Sequence, residues 1–364
     1  MNDDLALIVL DNFKEMGDKV NKVIKKLKKC EKDYIIPIKL DRFANGEGKI
    51  TILETVRDKD VYILTDIGNY SMTYKMHDFE NHYSPDDHYQ DLKRVILAMC
   101  GHAKKIALVM PLLYESRQHR RKGRESLDCA YAMQELASMG VKEVITFDVH
   151  DPNLCNAVPL LAFENFYSTS NILSQFAKDN RDILNDMLIV SPDFGAMERA
   201  RYYAEMLSCE VGVFYKRRDL SKVVNGKNPI IEHAYMGADV KNKNIIVVDD
   251  MIASGNSILE VAHELKEKGA SKVFLCSTFS LFTEGIERFA TAYEEKIFDG
   301  LYTTNLTYTK EKLKKEKWFN CVDSSEIIAK AIVTLNEGKS ISPLLNGKAD
   351  LYKKMEKIQG SRTK

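Results

Sequence analysis

The sequence predicts an α/β protein built from two tandem domains. Three observations carry this prediction: a length of 364 residues, strands and helices that alternate along the chain, and a helix–glycine–strand joint that occurs twice. At about 100–200 residues per domain, the length suits two separate cores. Residues 105–113 (KIALVMPLL) are a continuous apolar run of strand length, as expected for a strand buried on both faces. Residues 126–139 carry the spacing of an amphipathic helix that ends before Gly140, and 143–150 (EVITFDVH) read as the next strand. The same βαβ order returns in residues 244–248 (NIIVV), a helix over 257–268 stopped by Gly269, and a strand over 272–279 (KVFLCSTF). The joints agree in detail, Glu135-Leu136 ahead of Gly140 and Lys142 matching Glu264-Leu265 ahead of Gly269 and Lys272. Such joints are common in α/β proteins, so on their own they fit either duplication or convergence.

Composition narrows the function classes. Hydrophobic residues at 45% and charged residues at 29% suit a globular chain, and the longest apolar run, near Ile106 to Leu113, is far too short for a membrane span. The acidic start MNDDLALIVLDNF lacks the pattern of an export signal, which sets a cytoplasmic location as the expectation. Lys+Arg and Asp+Glu both number 53, without the basic excess of a nucleic-acid binder. Seven scattered cysteines with no C-x-x-C pattern are expected to be reduced, with neither a disulfide framework nor a zinc site.

The sharpest local pattern is NIIVVDDMIASGNSI, in which an apolar strand runs into Asp249-Asp250 and then a small-residue loop that opens a helix. Backbone N–H groups at a helix N-terminus form an anion cradle, and hydroxyls from Ser254 and Ser257 can donate to a phosphate. Two carboxylates at a strand's carboxyl end can accept from sugar hydroxyls. Each fragment alone also fits a strand end followed by a helix cap. Together they resemble the phosphoribosyl diphosphate signature of the type I phosphoribosyltransferase fold, although Ala253 stands where many members carry Asp.

Further motifs spread over the chain. RFANGEGKITILETVRDKDVYIL (Arg42 to Leu64), PLLYESRQHRRKGRESL (Pro111 to Leu127), ITFDVHDPNL, VSPDFGAMERA and VFYKRRDL resemble segments of the ribose-phosphate diphosphokinases, also called phosphoribosyl diphosphate synthetases. The resemblance implies two tandem, duplicated phosphoribosyltransferase-like domains, each a mainly parallel sheet flanked by helices. Their expected extents are 1–165 on the ATP side and 166–340 on the ribose 5-phosphate side, with 341–364 packing back on the first domain. It implies transfer of the diphosphoryl group of ATP to the C1 hydroxyl of ribose 5-phosphate for nucleotide biosynthesis, with Mg²⁺ as the cofactor and AMP as the second product.

Residue by residue, the resemblance gives ATP recognition to Phe43, Asn45, Glu47, Arg117, Gln118 and His150. Ribose 5-phosphate falls to Asp249, Asp250, Ser254, Gly255, Asn256 and Ser257, and metal binding to Asp148, His150 and Asp193. Lys216 and Arg218 would be catalytic, stabilising charge on the transferring group. On an extended segment these two would share one face, and so would Asp148 and His150. The resemblance also implies self-association, as a homohexamer of dimers in which Phe43, Asn45 and Glu47 complete a neighbour's nucleotide site, with no nucleic-acid or membrane partner. The chain departs from the family's usual residues at His119 (an acid), Asp151 (a small residue), Phe194 (a small residue) and across 153–158. A non-catalytic regulatory homologue is the alternative from another class, disfavoured by the retained Lys216, Arg218, His150 and Asp193. A base phosphoribosyltransferase is disfavoured by the Arg117-Gln118 loop and the two-domain length. The basic run Arg117, Arg120, Arg121, Lys122 and Arg124 would by itself be a solvated surface, but after a buried strand it suits an anionic nucleotide.

Overall fold

The computed structural model describes residues 4–121, 123–218, 230–345 and 351, with the side chains of 216–218 and 230–233 outside the description. The chain divides into two compact units. The first comprises Met1–Ser168, Asn305–Tyr308 and Asp323–Asn346, and the second Thr169–Thr304, Thr309–Val322 and Gly347–Lys364. The expected division at 165/166 placed 305–308 and 323–340 in the second domain, whereas by contact they group with the first. Leu351 of the C-terminal segment is buried in the core of the second unit.

The first unit opens with β1 (Leu5–Val9), α1 (Lys14–Lys28), β2 (Ile38–Arg42), β3 (Gly48–Ile52), β4 (Asp60–Leu64), β5 (Thr73–Met76) and β6 (Phe79–His82). It continues with α2 (Pro85–Ala98), β7 (Lys105–Val109), α3 (Asp128–Ser138), β8 (Val141–Phe147) and β9 (Ala162–Phe166). Five strands form a parallel sheet in the order β1-β4-β7-β8-β9. One face, through Ile8, Val61, Ile63, Leu108 and Val144, packs on Leu92, Val95 and Ile96 of α2 and Met133 and Leu136 of α3. α1 approaches β1 closely at Gly17, where an added Cβ would lie 2.4 Å from Val9 Cγ1. The β2–β3 and β5–β6 pairs are separate antiparallel hairpins.

The second unit holds α4 (Thr169–Asp179), β10 (Met187–Ser191), α5 (Met197–Leu207), β11 (Glu210–Arg218), β12 (Ile230–Gly237), β13 (Asn244–Ile252) and α6 (Asn256–Glu267). β14 (Lys272–Ser280), α7 (Glu287–Glu294), β15 (Gly300–Thr304) and β16 (Phe319–Val322) follow. The seven-stranded sheet has the order β12-β11-β10-β13-β14-β15-β16 and is parallel except for the β11–β12 pair. The apolar run of β13 is buried on both faces: Ile245 and Val247 enter one core with α6, and Ile246 and Val248 enter another with α4 and α5. Beyond β16 the chain forms α8 (Ser325–Asn336) and α9 (Ser342–Leu345) in the first unit. There Asn336 donates to Asp60 at 2.9 Å, Lys28 of α1 donates to Asn336 at 3.0 Å, and α8 packs along α1.

Both βαβ joints recur as expected, with Gly140 and Gly269 in the left-handed region at φ 99° and 90°. Two strands stop earlier than expected. β7 stops at Val109, ahead of Pro111, which has no N–H for the ladder; its carbonyl instead accepts from Phe147 at 3.0 Å. β8 stops at Phe147 because Asp148 takes φ 45°, its N–H donating to the Phe166 carbonyl at 2.7 Å. All seven cysteines are free thiols, two of them (Cys129 and Cys276) buried. Among the described residues, no helix is long and apolar enough to cross a membrane.

One tertiary contact within the first unit has a titration consequence. Asp66, just beyond β4 and 1% exposed, accepts from Gly68 N–H at 2.9 Å, Tyr308 N–H at 2.7 Å and the Thr307 hydroxyl at 3.1 Å. Burial outweighs these donors and pushes its carboxyl up to about 7 from an ordinary 3.8. The folded chain therefore holds this proton more tightly than the unfolded one. The stability it contributes is fully present below about pH 4 and is lost as pH rises to about 7. Stability of the wild type relative to Asp66→Asn should fall across that range, with a slope of up to about 1.4 kcal/mol per pH unit. Parallel urea titrations that give the same pH dependence for both proteins would refute this.

Candidate functional site

In the second unit, β13 carries Asp249 and Asp250 to its carboxyl end. The strand runs on through Ile252, four residues past the apolar run, with Asp249 opposite Ser277 and Met251 opposite Phe279 of β14. Asp250 is buried at 6% exposure, and Asp249 is half-buried. Each carboxylate turns back to the chain, Asp249 accepting from the Asp250 N–H at 2.9 Å and Asp250 from the Met251 N–H at 2.8 Å. Burial first, and the negative charge of Asp250 second, hold the Asp249 carboxyl well above the ordinary carboxylate range, with Arg199 of α5 partly opposing. Two acids in this state form a strongly polar spot that hydroxyl donors or a cation would relieve.

The loop that follows, Ala253-Ser254-Gly255, ends at the N-terminus of α6. Gly255 is the residue capping that helix, at φ 84°. An added Cβ there would lie 2.3 Å from Phe289 Cε2, so glycine is required both by conformation and by space. Phe289 is fully buried and boxed in by Phe282, Phe298 and Trp318. The loop thus rests on this aromatic cluster, and the first N–H groups of α6, which like those of any helix lack intrahelical partners, form the arrangement that receives an anion. Ser254 Oγ accepts from the Asn256 N–H at 3.5 Å, and Ser257 is exposed in the first turn. The Asn256 side chain is turned to the guanidinium of Arg288.

Asp193 follows β10 and is exposed. Its Oδ1 accepts from the Gly195 and Ala196 N–H groups at 2.8 and 3.1 Å, fixing the turn into α5. Phe194, a departure from the family's usual residue, meets Tyr215 of β11 edge-on at 5.8 Å. The residue that sequence reasoning missed is Arg199. A cation in the first turn of a helix opposes the helix dipole, and that placement was the available signal for an acidic neighbour. Lys216 and Arg218 lie at the end of β11, and their side chains fall outside the described residues, as does all of 219–229. Lys216 pairs with His233 and Arg217 with Glu232, but Arg218 pairs with Ile230, so the two strands slip by one residue at this point.

In the first unit, the loop after β7 carries Arg117, which is exposed, and Gln118, whose amide donates to the Ser126 carbonyl at 2.9 Å. Asp148 and His150 do not share a face of β8 as expected. The strand has ended, and the left-handed turn at Asp148 leaves it buried at 2% while His150 is exposed. Phe43, Asn45 and Glu47 form the tip of the β2–β3 hairpin, with Phe43 55% exposed and Asn45 donating to Glu47 at 2.9 Å. Arg42 anchors this tip. Its guanidinium lies 4.8 and 4.7 Å from the ring centres of Tyr74 and Tyr83, and it donates to Asp91 of α2 at 3.0 Å and to the Gly46 carbonyl at 3.0 Å.

Among the described residues, no group of three or more His, Cys, Asp or Glu side chains forms a cage for a metal ion. Asp148 and His150 belong to the first unit and Asp193 to the second.

A parallel sheet with an acid pair and a phosphate-type loop at its carboxyl edge defines the phosphoribosyltransferase class of site. Residues 162–293 match the family profile described as phosphoribosyl transferase domain, and 5–140 match the N-terminal domain of ribose phosphate pyrophosphokinase. The ribose-phosphate pyrophosphokinase of Thermosipho africanus is 30% identical over 91% of this chain and 94% of its own length. That of Pyrococcus abyssi is 30% identical over 72% and 82%, and that of Mycoplasma genitalium 27% over 86% and 88%. The crystal structure of phosphoribosylpyrophosphate synthetase from Mycobacterium smegmatis shares the fold, with a TM-score of 0.74 at 22% identity over 92% of this chain and 99% of that one. The chain belongs to the ribose-phosphate pyrophosphokinase family and is an enzyme of that class.

Proposed function

We propose that the protein transfers the diphosphoryl group of ATP to the C1 hydroxyl of ribose 5-phosphate, giving phosphoribosyl diphosphate and AMP. The observation that carries this reading is the loop between β13 and α6, where an acid pair, a left-handed glycine and a helix N-terminus follow one another within eight residues, Asp249 to Asn256. The backbone N–H groups after Gly255, with the Ser254 and Ser257 hydroxyls, donate to the 5-phosphate. Asp249 and Asp250 accept from ribose hydroxyls and so fix the sugar ring. Arg117 and Gln118 hold the ATP phosphates, and His150 assists them. The C1 oxygen attacks the β-phosphorus in line, the bond to the α-phosphate oxygen breaks, and the hydroxyl proton passes to solvent. Positioning and charge stabilisation supply most of the rate, with Lys216 and Arg218 placed at the transferring group. Mg²⁺, held with the nucleotide by Asp148, His150 or Asp193, would neutralise phosphate charge.

The exposed Phe43 at a rigidly anchored hairpin tip supports the further reading that this tip serves a neighbouring chain's adenine site in a hexamer of dimers. The direct test is AMP release from Mg–ATP by purified protein, dependent on ribose 5-phosphate. A protein that releases no AMP under these conditions would be the non-catalytic homologue instead. Asp249→Asn and Asp250→Asn should each raise KM for ribose 5-phosphate by on the order of ten-fold or more, with KM for ATP within about two-fold. Sugar dependence unchanged in both variants would remove the acid pair from the sugar site.

A further inference from the structure

In the loop after β7, His119 turns toward the loop after β8. Its side chain is only 9% exposed. Nδ1 lies 3.2 Å from the Ser116 carbonyl, which can only accept, and Nε2 lies 3.3 Å from Asp151 Oδ2. The ring also rests against His150, with 5.3 Å between centroids. Asp151 is committed on its other side as well, Oδ1 capping the short 3-10 turn Pro152–Ala157 by accepting from the Asn153 N–H at 2.9 Å and from its side-chain amide at 3.0 Å. One imidazole therefore ties together two loops at the carboxyl ends of neighbouring strands β7 and β8. The first loop bears Arg117 and Gln118, and the second bears His150.

We infer that His119 is a positioning residue for the nucleotide. Bridged to Asp151, it holds the Arg117-Gln118 turn and the His150 ring in the register that binds Mg–ATP. The inference rests on the reading of this loop as the ATP site. It predicts coupling, because either partner alone loses the same bridge.

The experiment measures equilibrium binding of Mg–ATP by calorimetry, without ribose 5-phosphate, alongside steady-state AMP release. The proteins are the full-length wild type, His119→Ala, Asp151→Ser and the double variant. Serine keeps a capping oxygen for the 3-10 turn but is too short to reach the imidazole. Each single variant should weaken Mg–ATP binding by on the order of ten-fold, and the double variant no further, with kcat and KM for ribose 5-phosphate within about two-fold. His119→Gln, whose amide can reach Asp151, should recover most of the loss; if His119→Ala does not fold, the comparison of Asp151→Ser with His119→Gln carries the test. Unchanged binding in both single variants, losses that multiply in the double, or a fall in kcat with unaltered Mg–ATP binding would each overturn the inference. A wild type that releases AMP while its variants bind Mg–ATP equally well overturns this inference alone. A wild type that binds Mg–ATP with the predicted coupling but releases no AMP overturns the proposed reaction alone. A wild type that does not bind Mg–ATP overturns both.

Discussion

Gly255→Ala should all but remove the enzyme's use of ribose 5-phosphate. The new methyl group would sit 2.3 Å from Phe289 Cε2, and the ring has nowhere to retreat, being stacked on Trp318 at 5.9 Å and met edge-on by Phe282 at 4.9 Å. The φ of 84° adds a left-handed penalty of about 1–2 kcal/mol for an L side chain. Overpacking adds about 1–3 kcal/mol. The loop relieves both by moving, which carries the first N–H groups of α6 away from the phosphate. KM for ribose 5-phosphate should rise by on the order of 10²-fold, with KM for ATP little changed, and Tm should fall by several degrees. Adding Phe289→Leu should restore part of the sugar affinity by relieving the contact but not the backbone strain. Wild-type kinetics in Gly255→Ala would show that this loop does not hold the phosphate.

The second large effect is expected from Lys216→Ala combined with Arg218→Ala. Charge accumulates on the phosphoryl oxygens only as the bond to the leaving AMP breaks, so cations aimed at those oxygens act on the transition state more than on either ground-state substrate. The double variant should lose on the order of 10²-fold or more in kcat, while both KM values stay within a few-fold. Rapid-quench measurement of AMP formation with both substrates saturating isolates this step. Full turnover in the double variant would move charge stabilisation to other residues.

Much of this was legible in the sequence because it depends on neighbours in the chain. The run NIIVV needs both faces buried whatever surrounds it, and the joints at Gly140 and Gly269 declare themselves through the residue that tolerates a positive φ. The acid pair, the small loop and the helix start are likewise consecutive. What stayed hidden depends on residues far apart in sequence. From EVITFDVH alone the strand reads through to His150, with Asp148 inside it. The turn there is fixed instead by the Phe166 carbonyl and by the Asn165 side chain, which accepts from the Val149 N–H at 3.1 Å. Arg199 near Asp249, Phe289 beneath Gly255, and His119 against Asp151 are all encounters between separate elements. No local periodicity encodes them. The grouping of α8 with the first unit is the extreme case, since its partner α1 lies some three hundred positions earlier, Lys28 meeting Asn336 at a separation of 308.

That last pairing has a consequence for how the protein is made. A ribosome finishes the strands of the first sheet by residue 166, yet α8, which packs along α1 and anchors Asp60 through Asn336, is translated only after β16. At about 5–20 residues per second, the interval between Phe166 and Asn336 is on the order of ten seconds or more. Throughout that time the nascent first unit lacks one of its own helices. The second unit, whose strands all appear within that interval, is synthesised while the first is still incomplete. The second unit waits as well, since Leu351 of its own core is translated only after α8, so neither unit has all its parts until the chain is almost finished.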